Sequence, residues 1–344
     1  CNTDFKNVSV NISDPHLTVI NREGQIFISG DKISKQDLDA AIKTALAVPT
    51  PTNKQVINSV SNCYTLDKDP ITYQGVVVDQ PIGQEAKTLE VAMHIVTVSN
   101  QCVNAIDQSI REGGLGLHNI VLNSMASSET YITQDEKDEG VCLIDIGSGV
   151  TNLSVFTKGG ITYSAVIQNG GDQITQDIVD AFDTSFKEAE RLKLKYGNAQ
   201  VKSIREDRLI KFQQIDDSKD YEHYLSHQSL VEVIEQSYLN LFSQIRQNLK
   251  SKKLYRSLKS GFVLTGGASK IKDCDALLLN YFRIRAKQGR VNADRITAER
   301  SILEPEYACA LGLLLFEYDV SDLRVVQSDN ESNIFGKIKQ QFKF

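Results

Sequence analysis

A glycine-rich turn between two apolar runs is the feature that most constrains the fold of this chain of 344 residues. The stretch reads VCLIDIGSGVTNLSVFTKGG and covers Val141 to Gly160. The apolar runs predict two buried strands, and Gly147 and Gly149 let the connecting backbone approach a ligand closely because they carry no Cβ atom. Taken alone, the stretch fits an ordinary hairpin better than half of a phosphate-binding site.

The polar residues of this stretch are those that a phosphate site needs. Successive N–H groups in a glycine-rich turn form an anion-binding concavity, in which Ser148 would lie. Asp145, just before the turn, is placed to hold a hydrated Mg²⁺ rather than the phosphate itself, since like charges repel each other. Thr151 can add a hydroxyl donor. The interpretation therefore depends on whether other nucleotide-binding features follow along the chain.

Two such features follow in the sequence. In FVLTGGASKI, Gly266 and Gly267 separate an apolar strand from a predicted helix, so that backbone amides and a helix N-terminus would converge near a nucleoside or phosphate. A tight strand-to-helix connection explains this stretch equally well. In AERLK, Glu190 and Lys193 share a helix face, where a surface ion pair is the simpler interpretation. All three features in this order are much less probable by chance than any one of them.

Composition excludes several classes of function. The formal net charge of −6 and the pI of about 5.5 argue against a nucleic-acid partner bound through a broad basic face. The six cysteines are scattered without CxxC pairs, which is typical of reduced, intracellular proteins. No apolar run is long enough to span a membrane, and the first residues do not form a signal peptide.

Local patterns predict a small α+β domain over about residues 1–116. Its start alternates like a strand and then a hairpin around Pro15 and Gly24. Ser34 and Asp37 predict a capped helix start. Further on, Thr184 is the predicted N-cap of a helix, residues 203–224 are predicted to be an exposed loop with one short strand, and a buried apolar stripe is predicted for residues 230–249.

The order DIGxGxTxL, AExxK and LTGGA resembles the superfamily of actin, the heat-shock chaperone ATPases and the sugar kinases. Within it, the chain most resembles the FtsA family of bacterial cell-division proteins, over essentially its whole length. The resemblance implies an α/β, actin-like (ribonuclease H-like) two-lobed fold with an inserted small α+β domain. FtsA-like chains begin with another strand–glycine–strand hairpin, so this chain resembles an N-terminally incomplete member in which the first strands of the first lobe are missing.

The resemblance also implies a division of the chain. It consists of the inserted domain (1–116), a remnant of the first lobe (117–139 and 305–320), the core of the second lobe (140–172 and 258–304), a mostly helical subdomain (173–257), a linker (321–332) and an amphipathic membrane-targeting helix (333–344).

The residues that match the family motifs acquire roles from the resemblance. Asp145, Gly147, Ser148, Gly149 and Thr151 would form the second phosphate loop, with Asp145 holding Mg²⁺ through water. Glu190 and Lys193 would contact the ribose and adenine of ATP, and the adenosine loop would consist of Gly266, Gly267 and Ala268. Ser148 and Val150 depart from the glycine and threonine of many relatives, and without the first phosphate loop ATP binding is expected to be impaired.

The last residues, NIFGKIKQQFKF, have the pattern of an interfacial helix. Four apolar side chains share one helical face, namely Ile334, Phe335, Ile338 and Phe342. Phe344 ends the chain, and the cations are Lys337, Lys339 and Lys343. One copy should hold an anionic membrane weakly, whereas a filament would add the effects of many copies. A helix that docks on its own core is the alternative.

The family resemblance implies an ATP-binding scaffold with no catalytic residue and at most slow ATP hydrolysis. It would polymerise, anchor the FtsZ ring at the cytoplasmic face of the inner membrane at the division site, and recruit later division proteins. The helical subdomain would receive the FtsZ tail. Two alternatives stay open: an FtsA-like pilus-assembly adaptor, and a small-molecule kinase of the same superfamily.

Overall fold

A computed structural model describes residues 6–47, 49–215, 222–291, 296 and 298–316. Within them, two compact units are distinguished: a larger one made of 6–19, 52–57 and 96–316, and a smaller one made of 20–51 and 58–95. The predicted membrane-targeting helix, 333–344, and the predicted linker lie outside the described residues.

The strands of the described residues are, in chain order, β1 (Asn7–Ile12), β2 (Thr18–Phe27), β3 (Lys54–Leu66), β4 (Val76–Val78), β5 (Thr88–Ser99), β6 (Gly116–Leu122), β7 (Val141–Ile146), β8 (Thr151–Thr157), β9 (Gly160–Ile167), β10 (Leu209–Phe212), β11 (His223–Ser226), β12 (Gly261–Thr265) and β13 (Ala286–Gln288).

The α-helices are α1 (Lys35–Leu46), α2 (Asn100–Glu112), α3 (Asn123–Tyr131), α4 (Gln134–Glu139), α5 (Gly171–Phe182), α6 (Phe186–Tyr196), α7 (His227–Ser251), α8 (Cys274–Phe282) and α9 (Ala308–Leu315). Short 3₁₀ turns cover Val201–Ser203, Leu254–Ser257, Gly267–Lys270, Arg300–Leu303 and Pro305–Tyr307.

A five-stranded sheet with the order β13-β12-β7-β8-β9 forms the centre of the larger unit. β7, β8 and β9 follow one another as an antiparallel meander, while β12 and β13 run parallel to β7. Because side chains alternate across a strand, Ile144 and Ile146 face one side of the sheet and Asp145 the other. The isoleucines belong to the main apolar core, whereas Asp145 bonds to α3.

Helices α5 to α8 supply much of the rest of that core, to which β10 and β11 also contribute. The predicted apolar stripe of α7 is confirmed, with Leu230, Ile234, Leu241 and Ile245 all buried. The region predicted as a loop with one strand instead contains the antiparallel pair β10 and β11. The N-cap of α6 is Ser185, one residue after the predicted Thr184. The Ser185 hydroxyl accepts the hydrogen bond from the first turn of this helix.

The opposite face of the sheet contacts α3, and α9 packs backbone against backbone on α3. A Cβ atom on Gly312 would lie only 1.8 Å from the carbonyl oxygen of Ala126, so that position requires glycine. Beside this pair, β1 and β6 form a parallel two-stranded sheet. Within the described residues, no helix combines the length and apolar character needed to cross a membrane.

The smaller unit holds most of a four-stranded sheet with the order β2-β5-β3-β4, and it also contains α1. The predicted capping box of Ser34 and Asp37 is confirmed. The hairpin predicted around Gly24 was wrong, because β2 runs through this residue without a turn. A Cβ atom on Gly24 would lie 2.2 Å from the Ala41 carbonyl oxygen, so the glycine serves close packing of α1 on the sheet. The smaller unit also contains fewer residues than the domain expected over 1–116, because β1 pairs with β6 in the larger unit.

Candidate functional site

The two glycine-rich turns of the larger unit meet at one cavity of about 310 Å³. Gly147 to Val150 form one wall, Gly266 and Gly267 another, and the buried side chains of Asp145 and Asn152 lie between them. The segment from Pro305 to Cys309, at the start of α9, contributes a further side. Such a volume is at the lower end of the range for small-molecule sites.

The first turn is held from behind by the start of α5. The amide of Gly147 donates to the Val150 carbonyl at 3.0 Å, and the carbonyl of Gly147 accepts from the Gly171 amide at 2.9 Å. A Cβ atom on Gly170 would lie 2.5 Å from the Ser148 carbonyl oxygen, so only glycine permits this contact. Gly149 has open space around it and is the part of the turn free to meet a ligand.

The second turn lies directly against the first strand. Gly266 has φ +85°, and a Cβ atom there would lie 2.4 Å from the Ile146 carbonyl oxygen. The helix predicted after this turn is a short 3₁₀ helix, Gly267–Lys270, which begins at the second glycine, and the next α-helix, α8, begins only at Cys274. What the second turn offers a ligand is therefore the glycine backbone, with Gly267 exposed.

Asp145 is buried, with 6% of its surface exposed, and is held by two side chains of α3. Its Oδ2 accepts bonds from Asn123 Nδ2 and from Ser127 Oγ, both at 2.8 Å. Burial raises the pKa of Asp145, although both hydrogen bonds act in the opposite direction. Sequence reasoning missed Asn123 and Ser127, which stand one helical turn apart among other buried polar residues of α3, so their spacing is the only signal that could have indicated them.

Two residues predicted for the site do not line the cavity. The fully buried Thr151 donates its hydroxyl to the Asn169 carbonyl at 2.7 Å, which joins β8 to the segment that follows β9. Ala268 lies behind the second turn, where its carbonyl accepts a bond from the buried Tyr238 hydroxyl.

Glu190 and Lys193 also lie outside the cavity lining, behind the first turn. Lys193 is buried rather than exposed, and its Nζ contacts Gly171 O at 2.9 Å, Thr175 Oγ1 at 2.7 Å and Glu190 Oε2 at 2.7 Å. The ion pair is therefore not the surface pair of the simpler interpretation. It supports the same α5 start that holds Gly147, and the predicted ribose and adenine contacts of Glu190 and Lys193 stay predictions.

Asn152 is a site residue that sequence reasoning missed. The antiparallel register places it directly opposite Asp145, so that both side chains project from the same face of the sheet. It is 2% exposed, and its Oδ1 has no hydrogen-bond partner among the described residues. Both hydrogen bonds to Asp145 end on Oδ2, so Asp145 Oδ1 remains as an acceptor at the cavity, whereas the Oδ1 atom of Asn152 is closed to solvent.

The carboxylate of Asp145 fits a hydrated Mg²⁺, which prefers oxygen ligands and usually keeps several of its waters. In the described ranges, His, Cys, Asp and Glu side chains form no cluster of three or more that could hold a metal directly. The other acidic residue of the cavity wall, Glu306, is paired with Lys270 at 3.1 Å. Burial and the nearby Asp145 charge raise the pKa of the Cys309 thiol to about 12, so this cavity residue is neutral at physiological pH.

Comparisons with known proteins match different parts of the chain to the same kind of protein. The family model "Cell division protein FtsA" matches residues 142–312, and "SHS2 domain inserted in FTSA" matches residues 15–97. The FtsA of Pseudomonas aeruginosa is 31% identical over 307 residues, which cover 89% of this chain and 72% of that protein. The FtsA of Escherichia coli K12 is 28% identical over 318 residues, or 90% and 73% of the two chains.

Solved structures show the same fold at lower identity. A PilM-PilN type IV pilus biogenesis complex gives a TM-score of 0.56 at 18% identity, over 91% of this chain and 80% of that one. MreB5 of Spiroplasma citri bound to ADP gives 0.54 at 19% identity, over 65% and 67%. The fold is actin-like with an SHS2 insert, and the identity to the Pseudomonas aeruginosa protein extends over most of both chains. The chain therefore belongs to the FtsA family of cell-division proteins.

Proposed function

We propose that the chain binds Mg²⁺-ATP in the cavity between its two glycine-rich turns and uses it as an actin-like scaffold of cell division. In this proposal it polymerises, anchors the FtsZ ring to the cytoplasmic face of the inner membrane at the division site, and recruits later division proteins. The nucleotide would govern the contacts between copies, and its hydrolysis would be slow.

The meeting of Gly147–Val150 with Gly266 and Gly267 at one cavity carries the nucleotide part of the proposal. Exposed glycine backbone on two sides suits the phosphates of a nucleotide, and Oδ1 of Asp145 suits its hydrated cation. A protein of the same fold, MreB5, is described as bound to ADP, which is in keeping with this use of the cavity.

Nucleotide binding is tested by a charge placed on the first turn. Nothing lies within 4 Å of a Cβ atom on Gly149, so Gly149→Asp and the matched control Gly149→Ala both fit sterically. We expect Gly149→Asp to weaken binding of a fluorescent ATP analogue at least tenfold in Mg²⁺, because the added carboxylate repels phosphate, while Gly149→Ala binds within about threefold of wild type. Wild-type protein without measurable binding, or equal binding by both variants, would overturn this part.

The membrane part depends on the C-terminal sequence, where apolar and basic residues alternate at helical spacing. Wild-type chain and a chain that ends at residue 332 are sedimented with vesicles containing anionic lipid, with and without FtsZ. We expect the wild type to pellet and to bring FtsZ with it, and the shortened chain to do neither. The proposed membrane anchoring is contradicted if the shortened chain sediments with the vesicles as the wild type does.

The family assignment favours this function over the two alternatives. The likeness to the pilus complex lies at 18% identity and concerns the fold alone. A small-molecule kinase needs a carboxylate free to act as a base, whereas Asp145 is buried with Oδ2 bonded twice, and Glu306 is paired with Lys270. Phosphate transfer to a sugar by the purified protein would restore the kinase alternative.

A further inference from the structure

We propose that the edge of the central sheet opposite the cavity is a second membrane-contact surface, which binds anionic lipid headgroups through a cluster of exposed cations. The inference rests on the proposed membrane anchoring and adds to it a surface of the larger unit. The carrying observation is that residues 250–260 contain five Lys or Arg and no Asp or Glu, in a chain whose net charge is −6.

Two segments of the chain bring these cations to one edge of the sheet. The first runs from the end of α7 to the start of β12, and the second leads from α8 into β13. Because β12 and β13 are parallel and Phe262 pairs with Ala286, both segments meet at the edge where these strands begin. Arg285 joins them, since its guanidinium donates to the Lys259 carbonyl at 2.9 Å. The basic edge, as defined here, consists of Lys250, Lys252, Lys253, Arg256, Lys259 and Arg285.

The six side chains of the basic edge are exposed, and none forms an ion pair with a residue that the structure describes. Lys250 lies in the last turn of α7, where a cation suits the helix dipole, but this effect falls off within one turn and does not account for the residues beyond it. Lys287 is excluded from the edge because it is paired with Glu136. Glu139 borders the edge, where its carboxylate accepts a bond from the Ser260 hydroxyl at 2.6 Å. The six charges therefore remain available to an anionic partner.

An anionic lipid surface suits these charges better than a nucleic acid does. Single-stranded nucleic acid is held by aromatic rings that stack on its bases, whereas the Tyr281 ring beside the edge is covered by the Arg246 guanidinium, 3.9 Å from the ring centroid. The acidic remainder of the chain repels a long polyanion that wraps around it. A planar membrane meets one face only, and salt screens the other charges beyond about 8 Å at physiological ionic strength.

The basic edge also complements the interfacial helix predicted for 333–344. Membrane binding grows with buried apolar area and with electrostatic attraction to anionic lipid, and stable attachment usually takes two signals. The helix supplies the apolar contact and the edge supplies most of the charge. The predicted linker, 321–332, can span up to about 40 Å, so that both can meet one membrane.

The test compares two triple variants of the full chain by sedimentation with vesicles, without nucleotide. The edge variant neutralises three cations of the basic edge, namely Lys250→Gln, Arg256→Gln and Lys259→Gln. The control variant neutralises three exposed cations elsewhere on the larger unit, namely Lys6→Gln, Lys187→Gln and Arg205→Gln. Both variants change the net charge equally, and circular dichroism melts check that both are folded.

Each cation near an anionic surface strengthens binding about fivefold. At about 0.15 M salt we expect the edge variant to bind vesicles that contain phosphatidylglycerol at least roughly tenfold more weakly than wild type, and the control variant to stay within about threefold. On vesicles of phosphatidylcholine alone, edge variant and wild type should bind equally. Equal losses in the two variants, or no loss in the edge variant, overturn the proposal.

Other partners of the basic edge are outcomes of the same comparison. Weaker binding of the edge variant to a DNA duplex, with unchanged vesicle binding, would assign the edge to nucleic acid. Weaker self-association in light scattering, with unchanged vesicle binding, would assign it to contacts between copies of the chain. Either result overturns a membrane contact at this edge.

A chain that ends at residue 332 separates this inference from the proposed anchoring. We expect it to stay in solution at about 0.15 M salt, but to sediment with anionic vesicles at about 0.01 M salt, where the screening length is about 30 Å. The edge substitutions should abolish that sedimentation. If they change nothing and the shortened chain never sediments, the basic edge fails while anchoring by the last residues stands.

The opposite result is equally informative. If the shortened chain binds as the full chain does and the edge substitutions release both, the basic edge stands and anchoring by the last residues fails. A full chain that sediments with anionic vesicles at neither salt concentration overturns both.

Discussion

Gly266 lies so close to the Asp145 carboxylate that a Cβ atom at Gly266 would be 2.5 Å from Oδ1. This contact joins the second glycine turn to the strand that leads into the first one. Any side chain at position 266 would therefore disturb both walls of the cavity.

Gly266→Ala should destabilise the larger unit and abolish nucleotide binding. The positive φ alone costs a residue with a Cβ atom about 1–3 kcal/mol, and the collision with the Ile146 carbonyl at 2.4 Å adds to this. Gly267→Ala is the control, because its nearest new neighbour would be the Glu306 Cβ at 3.9 Å, an ordinary contact. Urea unfolding measures the loss of stability, and titration with nucleotide measures the loss of affinity. A Gly266→Ala protein as stable as Gly267→Ala would contradict the predicted backbone strain at position 266.

The sequence was sufficient where local rules act alone. The two strands around Gly147 to Gly149, the Ser34 cap of α1 and the apolar stripe of α7 were all predicted, because each depends on residues within one or two turns of chain. Gly24 shows the limit of such rules: glycine usually interrupts a strand, but here it remains inside β2 because a helix distant in sequence packs against it.

The glycines of the site could be predicted from the sequence, but the polar side chains around Asp145 could not. Asn123 reaches Asp145 across 22 residues and Ser127 across 18, and no periodicity links an α3 side chain to a β7 carboxylate. Asn152 becomes a neighbour of Asp145 only once the strand register is known. Lys193 was expected at the nucleotide because of its motif, whereas the contacts place it behind the turn.

Lys193→Met should loosen the support of the first turn. The variant removes a buried donor from Gly171 O and Thr175 Oγ1, for an expected loss of about 1–3 kcal/mol in the free energy of unfolding. Because Gly171 holds Gly147, nucleotide affinity should fall as well. Lys187→Met, at an exposed position on the same helix, is the control and should change neither quantity by more than a few tenths of a kcal/mol. Comparable losses in the two variants would mean that the buried bonds are not responsible.

His94 predicts a pH dependence of the smaller unit. The side chain is fully buried on β5 with Nδ1 2.8 Å from Asn21 Oδ1, and burial lowers its pKa from 6.5 to about 4. In the unfolded chain His94 binds a proton near pH 6.5, whereas in the folded chain it does so only near pH 4. The free energy of unfolding therefore decreases as the pH falls from about 6.5 towards 4. Between pH 7 and pH 5 this amounts to about 2 kcal/mol.

His94→Gln removes this titration, so its stability should fall less than that of wild type over the same pH range. Hydrogen exchange of the β2 and β5 amides reports on the unit directly. His118→Gln, at an exposed position, should retain the wild-type slope. Parallel slopes for wild type and His94→Gln would rule out His94 as the source.

Gly24→Ala should unfold the smaller unit or lower its stability severely. The new Cβ atom would meet Ala41 O at 2.2 Å and Ala45 N at 2.5 Å, and both are backbone atoms of α1 that cannot move aside singly. Separating the helix from the sheet would expose the buried side chains between them, at about 25 cal/mol per Å² of apolar area. Gly30→Ala is the matched control, since Lys32 O at 3.9 Å would be its nearest neighbour. Circular dichroism melts distinguish the two, and equal melting temperatures would show that α1 can shift at no cost.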